Sequence, residues 1–234
     1  MKRKNSERVR QIAVAGVLLA LILIFLLVPL AIGPLSLAVV AVLAVIIACE
    51  FEGLGMGLFA GLAFGVTSLI ASFTTGAGSP TAVIFHNPLV SILPRVIIPL
   101  TCYFSYKGIR LAFKRSYDKK ENYDPKAVNR LSISVASIVG AVVATVTNTA
   151  LVMGMLFAFN AGKTFGNVYI GTAMLVSTLS VNFPIELGVC AAVSAPLMLA
   201  LHATFHSFDK DGLSPVPKNA VKDASNEQVQ EQAD

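Results

Sequence analysis

The stretch Phe85-His86-Asn87-Pro88-Leu89-Val90-Ser91-Ile92-Leu93-Pro94-Arg95 opens a long apolar run that continues past Leu100, and it carries one arginine at a depth where the surrounding residues are apolar. Asn87 can cap a helix and Pro88 suits its first turn, so the run reads as a helix over about 88–113. Asn87, Ser91 and Arg95 are each four residues apart and therefore share one face. Pro94 and Pro99 interrupt the same helix, and Pro99 removes the usual donor to the carbonyl of Arg95. A cation inside an apolar span is costly unless paired or functional, so Arg95 is the first candidate for a binding site.

Composition agrees that the solvent is lipid. The 234 residues are 55% hydrophobic and only 13% charged, against about 25% charged for a soluble domain. Mean hydropathy is +0.74. Apolar runs near the spanning length of ~20 residues recur. They place helices over about 11–30, 36–50, 53–74, 88–113, 131–158 and 183–205, the last opened by Asn182 and Pro184. The fold class expected is an all-α membrane protein of six transmembrane helices. The first run is read as a span, because it is long for a cleaved leader and no small-x-small site follows it. The stretch 165–181 is shorter and more polar, and is expected to be a partly helical loop at the membrane surface.

Lys and Arg cluster at 2–10, 107–130 and 210–222, with only Arg95 and Lys163 elsewhere. Six spans put all three clusters on one side, so both termini are expected in the cytoplasm of a multi-pass cell-membrane protein. Residues 1–10 form a basic cytoplasmic head and 11–206 the membrane domain. Residues 207–234, with six acidic and three basic side chains, form a tail expected to be disordered. The net charge of +5 does not imply nucleic acid, because the basic residues lie between spans. Cys49, Cys102 and Cys190 are isolated in apolar segments, which points to packing and to neither disulfide nor metal.

Small residues recur at helical spacing. Gly53, Gly57, Gly61 and Gly65 form one ladder, Ala136, Gly140 and Ala144 a second, continued by Asn148, and Ala13, Gly16 and Ala20 a shorter third. Such faces let helices approach closely in lipid; internal packing is the favoured use, with docking of another membrane subunit as the alternative for the third. Polar groups at membrane depth are few. Besides Arg95 they are Thr145, Asn148 and Thr149 on the fifth helix and Asn182 and Glu186 at the start of the sixth. Together they would ring an outward-facing cavity with a cation in it. Plainer roles stand beside this one: Arg95 pairing with Glu186 to lock two helices, Asn148 bonding between helices, Asn87 as a cap, His86 in a surface loop.

No enzyme motif survives inspection. Gly162-Lys163-Thr164 resembles the end of a phosphate-binding loop, but the glycine that motif needs falls on Phe157. No zinc-protease or serine-hydrolase pattern is present. The chain is expected not to be an enzyme and to need no cofactor, so active uptake would depend on partners that use ATP.

The run Phe85–Arg95, the run Thr147-Asn148-Thr149-Ala150-Leu151-Val152-Met153-Gly154, and Asn182-Phe183-Pro184-Ile185-Glu186 resemble the substrate-binding S components of energy-coupling factor (ECF) transporters. The resemblance covers roughly 10–206. It implies six helices with both termini inside, a vitamin bound in an outward-facing cavity, and partnership with a membrane T subunit (EcfT-like) and two ATPase subunits (EcfA-like). Family members dock the T subunit through small residues of helix 1, which carries over to Ala13, Gly16 and Ala20; only Gly16 and Ala20 keep the family's four-residue spacing. The His-Asn-Pro-Leu-Val-Ser version with Arg95 most resembles pantothenate-specific members. Arg95 would hold the ligand carboxylate, and Asn87, Ser91, His86, Asn148 and Asn182 would meet its amide and hydroxyls or line the site. The loop 160–181, with Tyr169, is expected to act as a lid. Biotin and niacin also carry a carboxylate, and Phe or Tyr could replace the absent Trp in stacking riboflavin or folate, so other vitamins remain open, as does a self-sufficient carrier or structural subunit.

Overall fold

The structure is a computed structural model that describes residues 2–27, 31–32, 35–36, 38–74, 85–118, 120, 123–165, 168–169, 171–172, 176, 178–205 and 213. Six α-helices of ten or more residues carry the described chain: α1 (Lys2–Leu27), α2 (Ala38–Ile47), α3 (Leu54–Phe73), α4 (Pro88–Tyr117), α5 (Pro125–Asn160) and α6 (Phe183–Phe205). Four segments are long and apolar enough to cross a membrane: α3, α4, α5 and Leu179–Thr204. The apolar part of α1, Gln11–Leu27, is shorter, and α2 has ten residues.

Several boundaries differ from expectation. The first helix starts at Lys2, not at 11, so the basic head is helical; Lys and Arg are good helix formers and do not end a helix merely by being charged. It ends at Leu27, and α2 starts at Ala38, because the chain between them pairs Ala31↔Ser36 and Ile32↔Leu35 in a two-residue antiparallel ladder, β1–β2. α4 runs on to Tyr117, with Lys114 and Arg115 in its last turn, where cations suit the helix dipole. α5 begins at Pro125, not at 131, because Asp124 accepts from the N–H of Lys126 and Pro125 needs no donor of its own there. At the start of the stretch expected to be a partly helical loop, an antiparallel ladder β3–β4 (Thr164–Phe165 and Val168–Tyr169) pairs Thr164↔Tyr169 and Phe165↔Val168. A π-helical turn, Thr178–Asn182, then leads into α6. Of the tail 207–234 only Leu213 is described, and it is buried; the rest of that expectation falls outside the described residues.

The core surrounds α2. Residues Ala41 to Glu50 are buried without a break, as suits a helix enclosed on every side. Leu18 and Ile22 of α1, Phe64 of α3, Ile98 of α4, Ala144 of α5 and Cys190 of α6 pack into the same cluster. α3 shows how the small-residue ladder works. Phe59, Leu62, Val66, Ile70 and Phe73 are exposed along one side, as lipid-facing residues are, while Gly57, Gly61 and Gly65 are buried against α4. A Cβ at Gly57 would sit 3.1 Å from Cβ of Pro99, and one at Gly65 would sit 2.8 Å from Cα of Ile92. At Gly61 it would collide with the carbonyl oxygen of Arg95, the group Pro99 deprives of its helical donor. Gly53 does a different job: with φ 96° it turns the chain between α2 and α3. The expected use of this ladder in internal packing therefore holds for its last three members.

Candidate functional site

The start of α4 is built from its own residues. The Asn87 side chain accepts from the N–H of Leu89 at 3.0 Å, so its carbonyl is committed to capping the helix. His86 stacks on Phe73 with centroids 4.0 Å apart, and its Nε2 lies 3.1 Å from the carbonyl oxygen of Ser72. It fastens the end of α3 to the start of α4. Ser91 is fully buried and donates to the carbonyl of Phe85, closing the turn that leads into the helix. Of the face Asn87–Ser91–Arg95, two members thus serve local structure and the third does not.

Arg95 is 6% exposed. Its Nη1 donates to the carbonyl of Val90 in the same helix at 2.7 Å, and its Nε has no partner. The guanidinium carbon lies 5.3 Å from the ring centre of Phe64 and 5.4 Å from that of Phe85, so aromatic faces on α3 and just before α4 flank the cation. Glu186 on α6 acts on Arg95 electrostatically, yet no ion pair joins them at contact distance among the described residues. Glu186 is also within electrostatic reach of Cys190, one turn further along α6 and near Thr145 of α5. Arg95, Glu186, Cys190 and Thr145 therefore link α4, α6 and α5 into one polar neighbourhood. Thr145 itself donates to the carbonyl of Ala141 at 2.9 Å. One turn along, Asn148 is half-buried and its Oδ1, closed off from solvent, has no hydrogen-bond partner.

The remaining sequence candidates stand apart. Asn182 is exposed at the end of the π-helical turn before α6. Tyr169 is 60% exposed on β4, with its ring against Gly171. Ala13, Gly16 and Ala20 are exposed on α1, and a Cβ at Gly16 would meet nothing within 4 Å. Ala13 also edges an apolar crevice of about 380 Å³ between α1, the end of α2 and α6.

Sequence reasoning passed over three buried polar groups. Glu50 lies in the middle of the π-helical turn Ala48–Glu52 after α2 and is 4% exposed, where the apolar run predicts only the end of a helix. Arg110 was counted in the basic cluster outside the bilayer, yet it is 1% exposed and donates from Nη1 to Oδ1 of Asn129 and Oγ of Ser132. His202 is buried with its ring edge-on to Phe51. Phe64 and Phe85 had no signal that set them apart from other apolar residues. The cysteines are free and buried as expected, but they also bond: Cys49 donates to the carbonyl of Pro99 at 3.1 Å.

A buried cation with open hydrogen-bonding capacity is a group that can pair with an anion. No curated protein matches the chain. A family model described as the substrate-specific component of ECF transporters matches residues 10–198, which include Arg95, Asn148 and Glu186. That span is most of the chain and contains the whole neighbourhood around Arg95, so the protein belongs to the family of ECF transporter substrate-specific components.

Proposed function

We propose that this chain is the S component that captures pantothenate for an ECF importer. The family is one of transporter substrate-binding subunits and not of enzymes, and its members work with T and ATPase modules. The observation that carries the reading is Arg95: a buried guanidinium, held by one carbonyl of its own helix and, among the described residues, with Nε unpartnered and no carboxylate in contact. Pantothenate offers one carboxylate for that cation, and an amide and two hydroxyls for Asn148 and its neighbours. The His86-Asn87-Pro88-Leu89-Val90-Ser91 run before Arg95 favours it over other carboxylate vitamins through its resemblance to pantothenate-specific members. The chain sits in the cell membrane, with both termini in the cytoplasm, and takes its cargo from an outward-facing cavity. Tyr169, exposed on its short hairpin, serves as part of a lid. The exposed small residues Ala13, Gly16 and Ala20 present a face on which the T subunit docks. Two ATPase subunits spend the ATP.

The alternative with a specific observation behind it is the structural lock, since Glu186 lies within electrostatic reach of Arg95. Calorimetric titration of the detergent-purified chain with pantothenate, biotin, niacin, riboflavin and folate separates the readings. Tight binding of pantothenate alone, lost in Arg95→Ala with the fold retained, supports the proposal. Binding of another vitamin instead replaces the cargo and keeps the family. An Arg95→Ala chain that binds its ligand normally but unfolds readily favours the lock.

A further inference from the structure

One buried acid takes no part in the neighbourhood around Arg95. Glu50 reaches from the π-helical turn after α2 into the junction of α2, α4 and α5. Its Oε2 lies 2.6 Å from Oγ of Ser137 on α5, and its Oε1 lies 3.7 Å from Sγ of Cys102 on α4. Gly140 on α5 makes the notch that admits the carboxyl, since a Cβ there would collide with Oε1. The groups that act on Glu50 are Ser137 from α5, Cys102 from α4 and its chain neighbour Cys49; none is a cation. Arg95 and Arg110 lie on the same α4 but are not among them.

That set of partners decides the chemistry. A carboxylate withdrawn from water and lipid headgroups needs a cation or several strong donors, and here it has one hydroxyl and one weak thiol. The un-ionised acid needs neither: the Ser137 hydroxyl donates to Oε2, and the Cys102 thiol faces Oε1. A single π-turn is also a common mark of a functional position, because the helix gives up regular bonding to re-aim a side chain.

We propose that Glu50 is an intramembrane proton-binding site, closed when α2, α4 and α5 pack as they do here. The step is the reversible addition of one proton to the carboxylate; no other bond forms or breaks. Loss of the proton leaves a bare charge in the junction and loosens α4 against α5, the two helices that carry Arg95 and Asn148. The site stands independently of what Arg95 binds, and its test uses no ligand.

Infrared spectra of the full purified chain in D2O at neutral pH, before and after Glu50→Gln, test it. The expected result is a C=O stretch of an un-ionised carboxylic acid that disappears in Glu50→Gln, a change that keeps size and hydrogen bonding. Raising the pH until that band is lost should lower the unfolding temperature of the unaltered chain and leave that of Glu50→Gln unchanged. If Glu50→Gln does not fold, Cys102→Ser and Ser137→Ala keep the acid in place and should shift the band. Spectra that are identical with and without Glu50, or a band that moves in neither partner variant, overturn the proposal. A carboxylate band that responds to sodium overturns it in favour of a bound cation.

Discussion

α4 carries two buried arginines, and they are held in different ways. Arg110, near the Tyr117 end, spends its Nη1 on Asn129 and Ser132, side chains of the neighbouring helix α5. Arg95, near the Asn87 end, spends its Nη1 on a carbonyl of its own helix and lies between two phenylalanine rings. The first arrangement ties two helices together. The second ties the side chain to its own backbone and, on the function proposed above, leaves its charge to be met by a ligand. Both cations cost energy to bury; only the contacts around them separate a fastening from a receptor.

Substitutions can break that contrast. The largest effect should follow Arg95→Ala: ligand affinity falls by about 3 kcal/mol, more than a hundredfold in Kd by calorimetry, while the unfolding temperature barely changes. Equal affinity in the variant would remove Arg95 from the site. Arg110→Ala should show the mirror image. Unfolding in detergent should reveal a loss of about 2–3 kcal/mol, since Asn129 and Ser132 lose a charged donor, with Kd unchanged in the folded fraction. A drop in affinity at unchanged stability would place Arg110 in the binding machinery. Gly61→Val should cost about 2 kcal/mol and also weaken binding, because the added methyls push α3 away from the Arg95 carbonyl. The smallest effect belongs to Phe64→Leu. It removes one aromatic face from Arg95 while keeping the site apolar, and should weaken binding by about 1 kcal/mol, roughly fivefold. No change there would mean that Val90 and Phe85 suffice to aim the guanidinium.

How much of this could be read beforehand varies with the range of the interaction. The start of α4 was legible because capping is local: Asn87 caps Leu89 two residues on, and Pro88 has no N–H to lose. The start of α5 obeyed the same rule at Asp124-Pro125, but the apolar run drew the expected boundary inward to 131. The two short ladders escaped because each is only two residue pairs long, too short for alternation to register. His86 and Ser91 were expected to line a site around Arg95, yet their polar atoms bond to Ser72 and Phe85, which follows from how α3 meets α4. Arg110 misled for a related reason: a basic residue among other basic residues reads as a solvated helix end until a second helix is laid beside it.

The sequence by itself determined the apolar solvent, the helical character and the capped start of α4, because each depends on apolar content and on groups a few residues apart. Only the tertiary structure decided what each buried ionisable group meets. The partner of Arg110 lies 19 residues away and that of Glu50 lies 87 away, so pairing depends on helix packing that periodicity does not encode. The same packing left Arg95 with one carbonyl of its own helix and two aromatic rings, contacts that no periodicity announces.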